Sequence, residues 1–296
     1  MTDEIQIGRS AYLVSRGEDA RVRKYAPPVG GIMNMLSRKL FGTSLPFANE
    51  RRVNRILMDE EFKYFVHPGL TIFDQPEMLE FEYLVGEDVS KLDTDQLSLA
   101  LAGLLEFSSL GDRYVAVGLE GFVLRLLESP GIRTGRMIIG SDTALRNKIR
   151  GLWLVVKYYF AQPSIGPVLI HNDLMFSNIR HGPNGDIVFL DFEDAHTERK
   201  WILVDAIDLV FDKSSGTLNV RLLEEYWRSL SAKIGEEFEK LKLKQQIRVC
   251  LLRLSITGRR RTASTGQERC MMERIFMITL NDELYQNWWS TQLGNS

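Results

Sequence analysis

The strongest constraint on this chain is a break in a helical pattern. Between residues 167 and 192 the otherwise helical second half gives way to two short apolar segments, Pro167-Val168-Leu169-Ile170 and Asp186-Ile187-Val188-Phe189-Leu190. Short apolar runs bounded by turn formers read as buried strands. The first runs into His171-Asn172-Asp173-Leu174-Met175-Phe176-Ser177-Asn178, the second into Asp191-Phe192-Glu193-Asp194. Between them His181-Gly182-Pro183-Asn184-Gly185 is built of strong turn formers, and Asn-Gly between two such segments predicts a hairpin. If the residues flanking the turn pair, Asn178 sits opposite Val188, and Asp191 lies roughly 10 Å further along the ribbon. A loop over residues 173–178 that curls back closes that gap. Two carboxylates and an amide oxygen then converge on one space, and oxygen-only ligands suit a hard cation such as Mg2+, not zinc. An Asp after a strand also serves as a turn residue or helix N-cap, and a lone His is commonly structural. The pointer to chemistry is the combination of His, Asp and Asn at fixed spacing after one strand with an acid closing the next.

At 296 residues the chain has room for one large domain or two lobes. Hydrophobic residues at 44% and charged residues at 26% are ordinary globular usage and exclude a disordered chain or a collagen-like repeat. Lys and Arg total 37 against 39 Asp and Glu, so no global basic field is available for nucleic acid. Cys250 and Cys270 make no disulfide framework and point to a reducing compartment. Met1-Thr2-Asp3-Glu4 lacks the features of a signal peptide, and no apolar run approaches the roughly 18 residues that span a bilayer. The expectation is a cytoplasmic protein that is not integral to a membrane.

Residues 1–85 read as mixed strand and helix. Residues 12–14 and 20–25 are strand segments joined by a turn at 16–19. Residues 50–62 read as a helix with Val53, Ile56 and Leu57 at i, i+3 and i+4. Residues 70–73 and 79–85 are further strands, the second ended by Gly86. Beyond them, Asp93-Thr94-Asp95-Gln96 opens a helix with acidic residues in its first turn, followed on one face by Leu97, Leu101, Leu104 and Leu105. Another helix carries Leu145, Ile149, Leu152, Trp153, Val156 and Phe160 on one stripe, which reads as core. Residues 222–230, 241–256 and 271–289 fit further helices.

His171-x-Asp173-x-x-x-x-Asn178, followed by a strand and Asp191-Phe192-Glu193, resembles the catalytic pattern of the kinase-like phosphotransferases. His-Asn-Asp-Leu and Leu-Asp-Phe-Glu are most similar to wordings of the aminoglycoside phosphotransferase and choline kinase group. The likeness is strong over residues 168–208, including Val204-Asp205-Ala206-Ile207-Asp208, and elsewhere rests on order and spacing. It implies an α+β, two-lobed protein-kinase-like fold. A small antiparallel-sheet N-lobe at 1–85 would bind nucleotide, and a larger, mainly helical C-lobe at 86–296 would hold the catalytic loop and substrate site. Asp173 would be the catalytic base, taking the proton of the acceptor hydroxyl. Asn178 and Asp191 would hold Mg2+ on the phosphates of ATP, His171 would brace the loop, and Asp205 would support it. Phosphoryl transfer asks a protein mainly for positioning and for neutralising charge, which these residue types supply.

The resemblance also asks for a strand lysine and a helix glutamate. Lys24, closing Val22-Arg23-Lys24, and Glu50, opening a helix, are the candidates, with Arg21 and Arg23 as weaker substitutes for the lysine. Ser10, in Ile7-Gly8-Arg9-Ser10-Ala11-Tyr12, would approach phosphate with nearby backbone N–H groups. Glu82 and Leu84, in the run 82–86, would form the hinge whose backbone meets adenine. The chain departs from the protein kinases in several places: one glycine in the nucleotide loop, His-Asn-Asp for His-Arg-Asp, Asp-Phe-Glu for Asp-Phe-Gly, and no Ala-Pro-Glu. No Walker A pattern exists. These departures favour a small-molecule kinase over a regulated protein kinase. Glu193 would be either a further acidic contact near the metal or a plain surface residue.

The implied reaction moves the γ-phosphoryl group of ATP to a hydroxyl of a small molecule of amino alcohol, sugar or aminoglycoside type. Trp201, Trp227, Tyr285, Trp288 and Trp289 are available to cage a quaternary amine, although large aromatics also build cores. Residues 240–261 hold basic side chains and no Asp or Glu, and residues 30–41 form an apolar and basic insert. Such segments suit a solvated helix face and a loop helix, or contact with a lipid or anionic acceptor. Two rival readings are an atypical protein or glycolipid kinase at a membrane surface and an inactive kinase-fold binding module. The presence of every polar position of the pattern stands against the second.

Overall fold

The computed structural model describes residues 4–6, 11–16, 19–26, 45–74, 77–82, 93–114, 129–161, 166–174, 178–181, 186–235, 240–260 and 265–294. Strands β1 (Glu4–Gln6), β2 (Ala11–Arg16), β3 (Asp19–Tyr25), β4 (Leu70–Asp74) and β5 (Glu77–Glu82) form one antiparallel sheet in the order β1-β2-β3-β5-β4. Lys24 of β3 is paired with Ala11 of β2 and Leu79 of β5. Directly paired residues share a sheet face, so Lys24 points to the side of the buried Leu79. Residue 84, the rest of the hinge run beyond Glu82, Ser10, the insert at 30–41 and the expected 85/86 boundary lie outside the described residues.

Helix α1 (Leu45–Met58) joins β3 to β4 and differs from the predicted span of 50–62. It starts earlier because Pro46 sits in its first turn, where a missing N–H costs nothing, and Phe47 is buried. It stops earlier because Asp59 and Glu60 donate back to the Ile56 and Leu57 carbonyls at 3.3 Å, tightening and closing the last turn. Glu50 therefore lies inside the helix and does not open it. Strand β5 starts at Glu77, ahead of the predicted residue 79.

The remaining helices are α2 (Thr94–Ser108), α3 (Pro130–Ile139), α4 (Leu145–Ala161), α5 (Val204–Val210), α6 (Val220–Lys233), α7 (Lys240–Arg260), α8 (Gly266–Leu280) and α9 (Asp282–Gly294). Asp93 caps α2 as expected, in a reciprocal capping box with Gln96. The predicted single helix at 271–289 is two. Asn281 is extended there, and its side-chain oxygen accepts the Glu283 and Leu284 N–H groups at 3.0 and 3.1 Å, which begins α9 afresh. Of the α4 stripe read as core, Leu152 alone packs against the core. Gly151, Val155 and Tyr158 face inward, whereas Leu145, Ile149, Trp153, Val156 and Phe160 are 44% to 80% exposed. The helix is apolar on both sides, and periodicity alone does not say which side meets solvent. In α7 the described basic residues Arg248 and Arg253 are held by protein partners. Leu243, Ile247, Leu251 and Leu254 are buried, and Arg248 is committed to the Thr279 carbonyl and Asp282. Among the described residues no helix is long and apolar enough to cross a membrane.

The interrupted stretch supplies four short strands. Strand β6 (Val168–Ile170) pairs antiparallel with β9 (His196–Glu198), and β7 (Ile179–His181) with β8 (Ile187–Phe189). The predicted hairpin is present with a different register. Arg180, not Asn178, faces Val188, a register two residues removed from the expected one. The Asn178 carbonyl instead accepts the Leu190 N–H at 2.9 Å, so Asp191 follows directly and the expected gap disappears. A last two-stranded ribbon, β10 (Phe211–Asp212) with β11 (Thr217–Leu218), follows α5.

Candidate active site

Strand β6 is completely buried and delivers the chain to His171. Its entry is set by Gly111 in the short turn Ser109–Asp112, where a Cβ would stand 2.1 Å from the Pro167 carbonyl oxygen. After β6 the backbone bends sharply at Asn172, with φ of 68°. That left-handed conformation is disfavoured for any residue with a Cβ, least so for Asn and Asp. The bend is held from two sides. The buried Asp205 carboxylate, in the first turn of α5, accepts the His171 and Asn172 N–H groups at 2.6 and 2.8 Å. Burial raises the pKa of Asp205, and the two N–H donors work against that rise. From the other side Arg253 of α7 donates to the Asn172 carbonyl. The His171 ring, packed 5.1 Å from the Phe192 ring, meets the Leu190 carbonyl through Nε2 at 2.8 Å. A carbonyl only accepts, so Nε2 carries the proton.

Asp173 comes next and is partly exposed. The residue lines a cavity of about 10 Å³, room for one water, with Arg133, Asp208, Arg253 and Thr257. Asn178 closes the loop by donating its side-chain N–H to the Asp173 carbonyl at 2.8 Å. Across β7 and β8 the hairpin ends at Asp191, the second described non-glycine residue of positive φ, at 66°. Phe192 anchors the turn by stacking on Phe107 with centroids 5.5 Å apart, which leaves Asp191 and Glu193 facing outward. Asn49 of α1 is fully buried against the same turn and donates to the Glu193 carbonyl at 3.0 Å and to the Ala195 carbonyl.

The helix is thus docked with Glu50 beside Asp191. Lys24 Nζ lies 2.6 Å from Glu50, 2.6 Å from Asp191 and 3.6 Å from Glu193. Burial pulls the Lys24 pKa down, but the three carboxylates outweigh it and hold the ammonium charged. Burial pushes the Glu50 carboxyl up to about 7, against the pull of Lys24 and with Asp191 adding to the rise. Oxygens of Glu50, Asp191 and Glu193 all lie within 4.8 Å of one another. Even with Glu50 partly protonated, the carboxylates outnumber the one ammonium and leave negative charge in excess, which a hard divalent cation matches. The donor set therefore fits Mg2+.

Of the residues singled out in the sequence, Lys24, Glu50 and Asp191 come together in one cluster, and His171, Asp173, Asn178 and Asp205 in the adjoining loop. Glu82 ends β5, its N–H already committed to the Gly69 carbonyl at 2.8 Å. Of the candidate cage aromatics, Trp201, Trp227, Tyr285 and Trp289 are core, and Trp288 donates to the Gly216 carbonyl. Sequence reasoning missed Asn49 and Arg253. A lone arginine inside the apolar run 249–256 was the signal for the second, and nothing marked the first.

A strand lysine paired with a helix glutamate, below a loop and hairpin carrying Asp, Asn and Asp, sits on an α+β, two-lobed kinase-like fold. Solved structures similar to this fold include members of the expected group. One is the ADP-bound aminoglycoside phosphotransferase APH(2'')-Ib, with a TM-score of 0.53 and 16% identity over 95% of this chain and 92% of that one. A choline/ethanolamine kinase family protein from Mesorhizobium loti gives 0.55 and 13% over 99% and 92%. Choline kinase from Cryptosporidium parvum Iowa II gives 0.57 and 12% over 97% and 90%. At such identities the likeness defines the fold. No family model matches the chain, and no curated protein matches its sequence.

Proposed function

We propose that this protein is an ATP-dependent phosphotransferase whose acceptor is a hydroxyl of a small molecule of sugar, aminoglycoside or amino alcohol type. The observation that carries this reading is the Lys24 cluster, with Glu50 and Asp191 each 2.6 Å from one ammonium. Lys24, positioned by Glu50, binds nucleotide phosphate oxygens. Asn178 and Asp191, with Glu193 beside them, are the residues that would hold Mg2+, which would supply charge neutralisation on those oxygens. Asp173 orients the acceptor hydroxyl and takes its proton as the oxygen attacks the γ-phosphorus and the bond to the β-phosphate oxygen breaks, releasing ADP. His171, Asp205 and Arg253 keep the loop in the shape that aims Asp173. The neighbouring structures are of aminoglycoside phosphotransferases and choline kinases. The burial of four of the five candidate aromatics gives no support to a quaternary-amine cage built from them.

The test is a phosphate-transfer screen over amino alcohols, sugars and aminoglycosides, run with wild type and Asp173→Asn. The variant should lose roughly 10²- to 10⁴-fold in kcat while binding Mg-nucleotide as before. Full turnover in the variant would remove Asp173 from the chemistry.

A further inference from the structure

We propose that the outer face of α4 docks on an anionic membrane surface. The inner side of the helix packs on the core, yet the opposite side is also apolar. Leu145, Ile149, Trp153, Val156 and Phe160 are all exposed, and on an α-helix they fall within about 80° of arc, one continuous stripe. Among the described residues nothing covers it. Beside the stripe, α3, α4 and β9 enclose an open groove of about 670 Å³, whose lining includes Ile132, Leu152, Tyr159 and Phe160. Ile132 and Ile139 of α3 are exposed as well. A contiguous apolar surface rimmed by polar residues marks an interaction site.

Charge selects the occupant. Helix α4 carries Arg146, Lys148, Arg150 and Lys157 and no Asp or Glu. Arg146, Arg150 and Lys157 are exposed and follow one edge of the stripe. On the other side Lys200 lies 4.0 Å over the Tyr159 ring. Of the acids nearby, Glu198 accepts the Arg199 and Lys200 N–H groups, Asp282 pairs with Arg248 and also feels Lys157, and the exposed Asp142 precedes the helix. A two-fold contact with a second copy would set this basic rim against itself, with no acid on α4 to answer it. An anionic leaflet satisfies both features. The apolar stripe with its Trp and Phe enters the boundary between headgroups and acyl chains, while the arginines and lysines meet lipid phosphates. Among the described residues no helix is long and apolar enough to cross a membrane, and the contact is one with its surface.

The full chain is sedimented with vesicles of phosphatidylcholine alone and of phosphatidylcholine mixed with phosphatidylglycerol. Wild type should pellet with the anionic vesicles and be released by salt. Trp153→Glu with Phe160→Glu should abolish pelleting. Arg150→Gln with Lys157→Gln should weaken it roughly 25-fold, about fivefold per basic side chain. All four side chains are exposed, so unchanged melting temperatures verify the fold. Three results would overturn the proposal: wild type remaining in the supernatant with both vesicles, both variants pelleting like wild type, or a solution dimer that Trp153→Glu dissolves. Asp173→Asn should pellet as wild type does, which keeps this test separate from that of the phosphotransferase reading.

Discussion

Replacing Glu50 by glutamine should flatten the pH dependence of stability in the ligand-free protein. Glu50 is buried between Lys24 and two further carboxylates, and its pKa stands at about 7 against an ordinary 4.5. Between those values the folded protein keeps a proton that the unfolded chain has lost. A carboxyl raised on folding therefore contributes fully at low pH, and its contribution falls as pH rises through the folded value. A tenfold change in proton affinity between the two states corresponds to about 1.4 kcal/mol. Wild type should therefore lose roughly 2 to 3 kcal/mol between about pH 5 and 8 from this group alone. The amide of Glu50→Gln keeps an oxygen for Lys24 but does not titrate. Urea denaturation of both proteins across that range gives two curves whose difference isolates Glu50. His67 and His196, which burial holds below the usual histidine range, contribute to both. Parallel curves, or a wild type that gains stability over the variant as pH rises, would refute the reasoning.

Asp191→Ala should weaken nucleotide binding measured with Mg2+ far more than binding measured without it; equal losses would move the metal elsewhere. Asp205→Ala strands two buried N–H groups that now meet a carboxylate and should cost about 3 kcal/mol in denaturation, with a fall in kcat. A stable variant with unchanged turnover would deny Asp205 its hold on the loop. Gly111→Ala drives a methyl group into the Pro167 carbonyl and should destabilise by about 1 to 3 kcal/mol, read from the shift in melting temperature.

The strand-loop-strand core of the site was legible because its information is local. Short apolar runs, Asn184-Gly185 and a polar pattern after each strand carry their own geometry. The hairpin register was harder, since a turn that holds Pro183, Asn184 and Gly185 allows more than one centre of pairing. Lys24 and Glu50 could be picked out only through resemblance, because the contact between Lys24 and Asp191 joins residues 167 positions apart. Asn49 was illegible for the same reason, and Arg253 showed only as a lone arginine in an apolar run. Each satisfies backbone carbonyls on a distant segment, and no spacing rule records that. The α4 stripe reads as core in the sequence because an apolar period looks alike whether it faces a core or the outside.

The hold of Arg253 on the Asn172 carbonyl spans 81 residues. During synthesis at about 5 to 20 residues per second, the loop leaves the ribosome roughly 4 to 16 seconds before the arginine that secures it. Over that interval the bend at Asn172 is without the arginine's hold. A nascent or truncated chain that stops short of α7 therefore has this loop spelled out but without its lock.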